Sequence, residues 1–181
     1  HTQLVSLKLY RNNLSHVDIT NNLALKVLYL GGNDLGSIDV YKHTDLEELS
    51  LYETGLSNID ITNNLALKVL SLGGNDLGNI DVSKHTYLEE LSLYETDLIN
   101  IDISNNLALK VLNLGGNNLG NIDVSKHILL EELSLYETNL TSIDVSKNTL
   151  LTELSLYSSS SSSTPNDLKE IDLANNIKLK A

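Results

Sequence analysis

A mostly-β solenoid of about eight coils, with a parallel sheet along one face, is what this 181-residue chain predicts, and three observations predict it. Leucine recurs at Leu4, Leu25, Leu46, Leu67, Leu88, Leu109, Leu130 and Leu151, every 21 residues without slippage. Inside each segment apolar residues alternate, as in Leu28-Tyr29-Leu30, so a short strand turns both leucines to one side and the tyrosine to the other. Finally, 21 residues leave no room for a full return helix, and the tract Gly36 to Thr44 lacks helical periodicity, so the far side should be extended or turn-like. A single segment could not hide its apolar faces from water, whereas stacked segments bury a continuous column of Leu, Ile and Val.

Each part of the coil has its own justification. After the strand, Leu35, Ile38 and Val40 bring the chain back over the same core, and the triplet Ile38-Asp39-Val40 is echoed down the sequence to Ile143-Asp144-Val145. Stacking sets equivalent residues about 4.8 Å apart, the spacing of neighbouring strands. Asn12, Asn33, Asn75 and Asn117 fall in the turn after the strand, where an amide can satisfy backbone groups that the turn strands inside. Thr54, Thr96 and Thr138 fill that slot in alternate coils and can do half the job. Asp18, Asp39, Asp60, Asp81, Asp102, Asp123, Asp144 and Asp172 form a second series, read as side chains capping their own turns. The stretch "GGNDLGSID" is superficially like a calcium-binding G-G-x-G-x-D repeat, but Asp34 stands where that motif needs Gly and Gly36 where it needs Asp. His43, His85 and His127 recur every second coil, roughly 10 Å apart, too far to share one metal ion. They are read as a solvated or turn-bonding rim.

Leu25-x-x-Leu28-x-Leu30-x-x-Asn33-x-Leu35 resembles the leucine-rich-repeat consensus, and the resemblance extends from Leu4 to about Lys178. The departure is threonine at alternate Asn slots. The short repeat is most similar to the class found in secreted and surface bacterial proteins, the internalins among them. That resemblance implies a right-handed solenoid with the sheet on its concave face and a non-helical convex side. It also implies an extracellular or cell-surface bacterial protein that binds partners for adhesion or assembly.

Composition narrows the function classes. A formal net charge of −12 repels phosphate backbones and anionic membranes, so no nucleic acid partner is expected. Cysteine is absent, which removes disulfides, thiolate metal sites and a Cys nucleophile. No apolar run approaches the roughly 18 residues of a spanning helix. Glu48, Glu90 and Glu132 lie about 10 Å apart in equivalent surroundings, whereas acid–base catalysis needs two carboxyls made different. No nucleophile elbow, P-loop or dinucleotide fingerprint occurs, so no enzyme, cofactor or metal site is expected.

The most telling pattern is an alternation. "LGGND", "LGGND" and "LGGNN" fill one slot in every second coil, and "LYETG", "LYETD" and "LYETN" fill it in the coils between, so the unit of duplication is 42 residues. The outward lanes then carry Glu48, Ser50 and Tyr52; Glu90, Ser92 and Tyr94; Glu132, Ser134 and Tyr136, with Tyr29 and Tyr157 in the flanking coils. Glycine beside each tyrosine either makes space for the ring or leaves a slot for a guest. Tyr29, Tyr52, Tyr94, Tyr136 and Tyr157 with Glu48, Glu90 and Glu132 are the expected binding track, for a protein with basic residues. The alternatives are a glycan stacked on the tyrosines and a structural spacer without a ligand.

The whole chain, 1–181, reads as one solenoid segment. After Tyr157 a serine run, Ser158 to Ser163, opens a rim insertion over 158–167, and Leu168 resumes the pattern seven residues late. This insertion could serve as a flexible binding element or as a mobile spacer. The sequence opens at His1 with a complete repeat and closes at Ile177-Lys178-Leu179, the start of a ninth, so flanking coils in a longer chain are expected.

Overall fold

The computed structural model describes residues 3–180, and His1, at which the chain opens, lies outside the described residues. Its elements are β1 (Ser6–Lys8), β2 (Val27–Tyr29), β3 (Glu48–Ser50), β4 (Val69–Ser71), β5 (Glu90–Ser92), β6 (Val111–Asn113), β7 (Glu132–Ser134) and β8 (Glu153–Ser155). They form one parallel sheet in chain order, and no helix occurs among the described residues. Every pairing advances by one repeat, so Leu7, Leu28, Leu49, Leu70, Leu91, Leu112, Leu133 and Leu154 stand in a single row. The 21-residue period thus sets the register directly. From the second coil to the seventh that row is fully buried, as are the rows of Leu25 and Leu30, with Val40 and Ile61 closing the core from the return side.

The backbone leaves the sheet at one fixed point. Arg11, Gly32, Glu53, Gly74, Glu95, Gly116 and Glu137 occupy the same position in successive coils, and all have positive φ, from 50° to 69°. Left-handed backbone costs a non-glycine residue roughly 1–2 kcal/mol, so the second glycine of each "GG" is there first for its conformation. The glutamates accept that strain, and their side chains return something for it, as shown below.

Two polar spines run through the interior. In the first, Asn75 donates from Nδ2 to the carbonyls of Leu51 (2.8 Å) and Leu72 (2.7 Å), and its Oδ1 accepts from the Thr54 and Leu56 amides, both at 3.0 Å. Asn33 and Asn117 repeat this clamp onto the preceding coil. Threonine does less, as its smaller side chain requires: Thr54 donates to the Leu51 carbonyl at 2.6 Å. Past the insertion Asn166 resumes the series, joining the Leu135 and Leu156 carbonyls at 2.7 and 3.0 Å. The insertion itself is tied back to the seventh coil. Ser159 donates its amide to the Glu137 carboxylate (2.9 Å), and the Thr164 hydroxyl donates to the Glu137 carbonyl (2.8 Å).

The second spine corrects the sequence reading. His43, His85 and His127 do bond turns, but they are not solvated: they are 2%, 1% and 1% exposed. Each Nε2 meets a carbonyl of the preceding coil, that of Ile19, Ile61 or Ile103, at 3.0–3.1 Å. A carbonyl only accepts, so Nε2 carries a proton, and Nδ1 is buried without a hydrogen-bond partner among the described residues. Asn64 and Asn106 between them, and Asn148 after the last, fill the same slot and donate to two carbonyls each. The aspartates cap their turns as read, for example Asp81 accepting from the Ser83 amide at 2.9 Å.

Candidate binding face

Strand alternation sends Leu28 and its equivalents inward and the first and third strand residues outward, onto a face that no other element covers among the described residues. One outward lane reads Val27, Glu48, Val69, Glu90, Val111, Glu132 and Glu153; the next reads Tyr29, Ser50, Ser71, Ser92, Asn113, Ser134 and Ser155. Near the far end these lanes line an open depression of about 480 Å³ between Val111, Asn113, Glu132 and Glu153.

The third lane explains the alternation of Gly-Gly and Tyr-Glu. Tyr52, Tyr94 and Tyr136 are half-buried, and each ring rests against the first glycine of the preceding coil. A Cβ on Gly31, Gly73 or Gly115 would stand 2.3, 2.2 or 2.1 Å from a ring carbon of that tyrosine. The second glycine is covered from the other side. A Cβ on Gly74 would meet Cγ of Glu53 at 2.8 Å, and one on Gly116 would meet Cγ of Glu95 at 2.5 Å. Above each glycine coil the two side chains converge: the hydroxyls of Tyr94 and Tyr136 point to the carboxylates of Glu53 and Glu95 at 3.4 Å. Arg11 takes the glutamate's place at the near end, with its guanidinium 6.0 Å from the Tyr52 ring. Tyr-Glu coils one 42-residue unit apart are therefore strapped together across the glycine coil between them. Coil eight breaks the alternation with Tyr157 in place of glycine, and the Tyr136 and Tyr157 rings stack at 5.0 Å and 5°. Of the two outcomes left open by sequence, the glycines seat the rings.

Gly115→Val is expected to expel the Tyr136 ring and to cost about 1–3 kcal/mol through overpacking, read as a lower urea midpoint. An unchanged midpoint would show that the ring does not rest there.

The remaining track residues are placed differently. Tyr29 donates its hydroxyl to the Glu48 carboxylate, and Lys8 sits 4.5 Å from its ring. Glu90 and Glu132 are exposed, and Tyr157 is 62% exposed. The Glu48 hydrogen bond is the largest cause that raises the Tyr29 phenol to about 12 from 10.0, with burial second. A raised phenol stabilises the fold fully below pH 10 and loses that contribution as pH rises through about 12. In a tyrosinate absorbance titration, Glu48→Gln is expected to bring one tyrosine back toward pH 10. Titration curves that coincide for the two proteins would refute the bond.

Sequence reasoning weighed Glu48, Glu90 and Glu132 and passed over their neighbours. Lys26, Glu47, Lys68, Glu89, Lys110 and Glu131 alternate in sign at 21-residue steps along the rim where the chain enters the strands. Glu47 bridges Lys26 (2.8 Å) and Lys68 (2.7 Å), and Glu89 pairs with Lys110 (2.6 Å). Hydrogen bonds from the two lysines pull the Glu47 carboxyl down to about 2. The signal that could have found this ladder was the strict alternation of K and E one residue before each of the strands β2 to β7.

Comparison with known proteins agrees with the architecture. No established family profile and no curated protein sequence matches the chain. Among solved structures, the functional domain of InlJ from Listeria monocytogenes, which includes a cysteine ladder, superposes with a TM-score of 0.88 at 28% identity; the match covers 99% of this chain and 39% of that one. The internalin InlF of Listeria monocytogenes follows at 0.70 and 23%, covering 99% and 60%. A leucine-rich-repeat protein of Leptospira interrogans gives 0.67 and 20%, covering 98% and 59%. The molecule is a leucine-rich-repeat solenoid. Its 21-residue coil makes it internalin-like, with asparagine, threonine and histidine spines and no cysteine. The chain spans less than two thirds of the length of each of these structures.

Proposed function

We propose that the chain is a non-catalytic binding module of a secreted or cell-surface bacterial protein, and that it recognises a protein partner through the outer face of its sheet. One observation carries this reading: eight in-register strands present an uncovered, acidic and aromatic surface whose motif recurs every second strand, roughly 10 Å. Glu48, Glu90, Glu132 and Glu153 make it predominantly acidic, with Lys8 at its near end, which steers a basic partner, while Tyr29 and Tyr157 offer ring surface of the kind that anchors interfaces. Likeness to internalins supports a protein-interaction role in a larger surface protein. A glycan is the second reading, favoured by the Ser-rich lane beside the open depression at Asn113 and Glu132.

The test immobilises the chain, captures its partner from extracts and measures association. Glu48→Gln with Glu90→Gln and Glu132→Gln is expected to slow association and flatten its salt dependence. Tyr52→Ala with Tyr94→Ala and Tyr136→Ala should lower affinity; since these rings pack on glycine, the urea midpoint is measured alongside. Affinity unchanged in both variants would move binding off this face, and competition by soluble glycans would favour the second reading.

A further inference from the structure

We propose that the rim bearing the lysine–glutamate ladder is a self-recognition edge, on which a second copy of the chain docks antiparallel about a two-fold axis between the fourth and fifth coils. This surface is separate from the sheet face. Two to three residues before the ladder positions stand Leu23 (50% exposed), Leu65 (45%), Tyr87 (65%), Leu107 (49%), Ile128 (59%) and Leu129 (41%). Packing does not require them, since the slot of Leu23, Leu65 and Leu107 is filled by Thr44, Thr86 and Thr149 in other coils of the same fold. A run of exposed apolar side chains along one edge, rimmed by charge, marks a contact surface.

The ladder says what covers it. Read backwards with its signs inverted, Lys-Glu-Lys-Glu-Lys-Glu is itself. A two-fold axis perpendicular to the solenoid therefore opposes Lys26 to Glu131, Glu47 to Lys110 and Lys68 to Glu89 of the second copy, and no like charges meet. The same operation brings Leu23 against Ile128 and Leu129, and Leu65 against Tyr87. A parallel arrangement would set lysine on lysine and glutamate on glutamate. At a net charge of −12 the chain repels its copy over its acidic surfaces, whereas the ladder carries three charges of each sign. Isologous docking of a self-complementary patch is the commonest route to a soluble dimer. The ladder runs only about 24 Å, five strand spacings, so the contact is narrow and belongs with weak associations.

Sedimentation velocity of the chain from about 5 to 500 μM should show a monomer–dimer equilibrium with a dissociation constant on the order of 100 μM. Lys26→Glu with Lys68→Glu and Lys110→Glu makes the ladder all acidic, and Glu47→Lys with Glu89→Lys and Glu131→Lys makes it all basic. Each alone is expected to stay monomeric over that range, while an equimolar mixture recovers the dimer, although both keep a negative net charge. Leu23→Ser with Leu65→Ser and Leu107→Ser keeps the ladder, replaces only exposed groups, and should weaken the dimer at least tenfold. A wild-type chain monomeric throughout would overturn the proposal, as would charge variants that still dimerise alone or fail to pair when mixed, both folded by circular dichroism. Should stacked like charges prevent folding, the serine variant decides: undiminished association there refutes the edge.

Discussion

Replacing Leu72 by Asp is expected to abolish the folded state, while replacing its neighbour Ser71 by Asp leaves it standing. Leu72 is 0% exposed, in the row that continues Leu30 and Leu51 through the middle of the stack. A carboxyl placed there has no polar partner provided by the fold. Whether it stays ionised or takes up a proton, burying it costs several kcal/mol, against a total stability of about 5–15 kcal/mol. A solenoid has no distant part of the core to compensate, because each coil is held only by its two neighbours. Ser71 points the other way, between Ser50 and Ser92 in the outward lane, and a carboxylate there remains hydrated. Its effect should fall within about 1 kcal/mol. Circular dichroism and urea midpoints of the two variants check this, and a soluble, fully folded Leu72→Asp protein would contradict the inward row.

That contrast was legible in sequence because two periods coincide. The step of 21 residues fixes which leucine lies beside which, and the step of two within Leu28-Tyr29-Leu30 fixes which side each faces. His43 shows where such reading stops. Flanked by Lys42 and Thr44, it has the appearance of a rim residue, yet its ring is buried on the Ile19 carbonyl. Histidine is ambivalent toward burial, so its own identity could not decide the matter. The informative clue was its exchange with Asn64 and Asn106, since imidazole and carboxamide share the ability to donate to a carbonyl.

The outer face was legible as an alternation and illegible as a geometry. Glycine beside tyrosine could be read as a floor or as a slot, and the direction of the Tyr94 ring toward Gly73 depends on a side-chain rotamer that one sequence does not specify. Glu53 and Glu95 went unnoticed because their role needs the left-handed turn: only there does the side chain double back over the next coil's second glycine. The ion-pair ladder was different, with every letter of its alternation in plain view. Its residues lie just before the strands, outside the period-two pattern that marks the strands themselves.

Asn75→Ala is expected to be far more damaging than Thr54→Val, although the two side chains touch and occupy equivalent slots. Asn75 is 4% exposed, and its amide serves backbone groups of two coils. Its loss removes the partner of the Thr54 amide, the Leu56 amide and the Leu72 carbonyl, all inside the stack. The Leu51 carbonyl is spared, because the Thr54 hydroxyl also donates to it at 2.6 Å. Each stranded group costs about 1–3 kcal/mol, so the sum is roughly 3–6 kcal/mol once the turn relaxes and water enters. Thr54→Val removes only that hydroxyl, and the Leu51 carbonyl keeps the Asn75 amide at 2.8 Å. Its cost should be about 1 kcal/mol. Asparagine in every second coil therefore suffices, since each one clamps its own turn and the threonine turn before it. Urea midpoints for the two variants decide the matter, and equal losses would mean that the spine is not divided in this way.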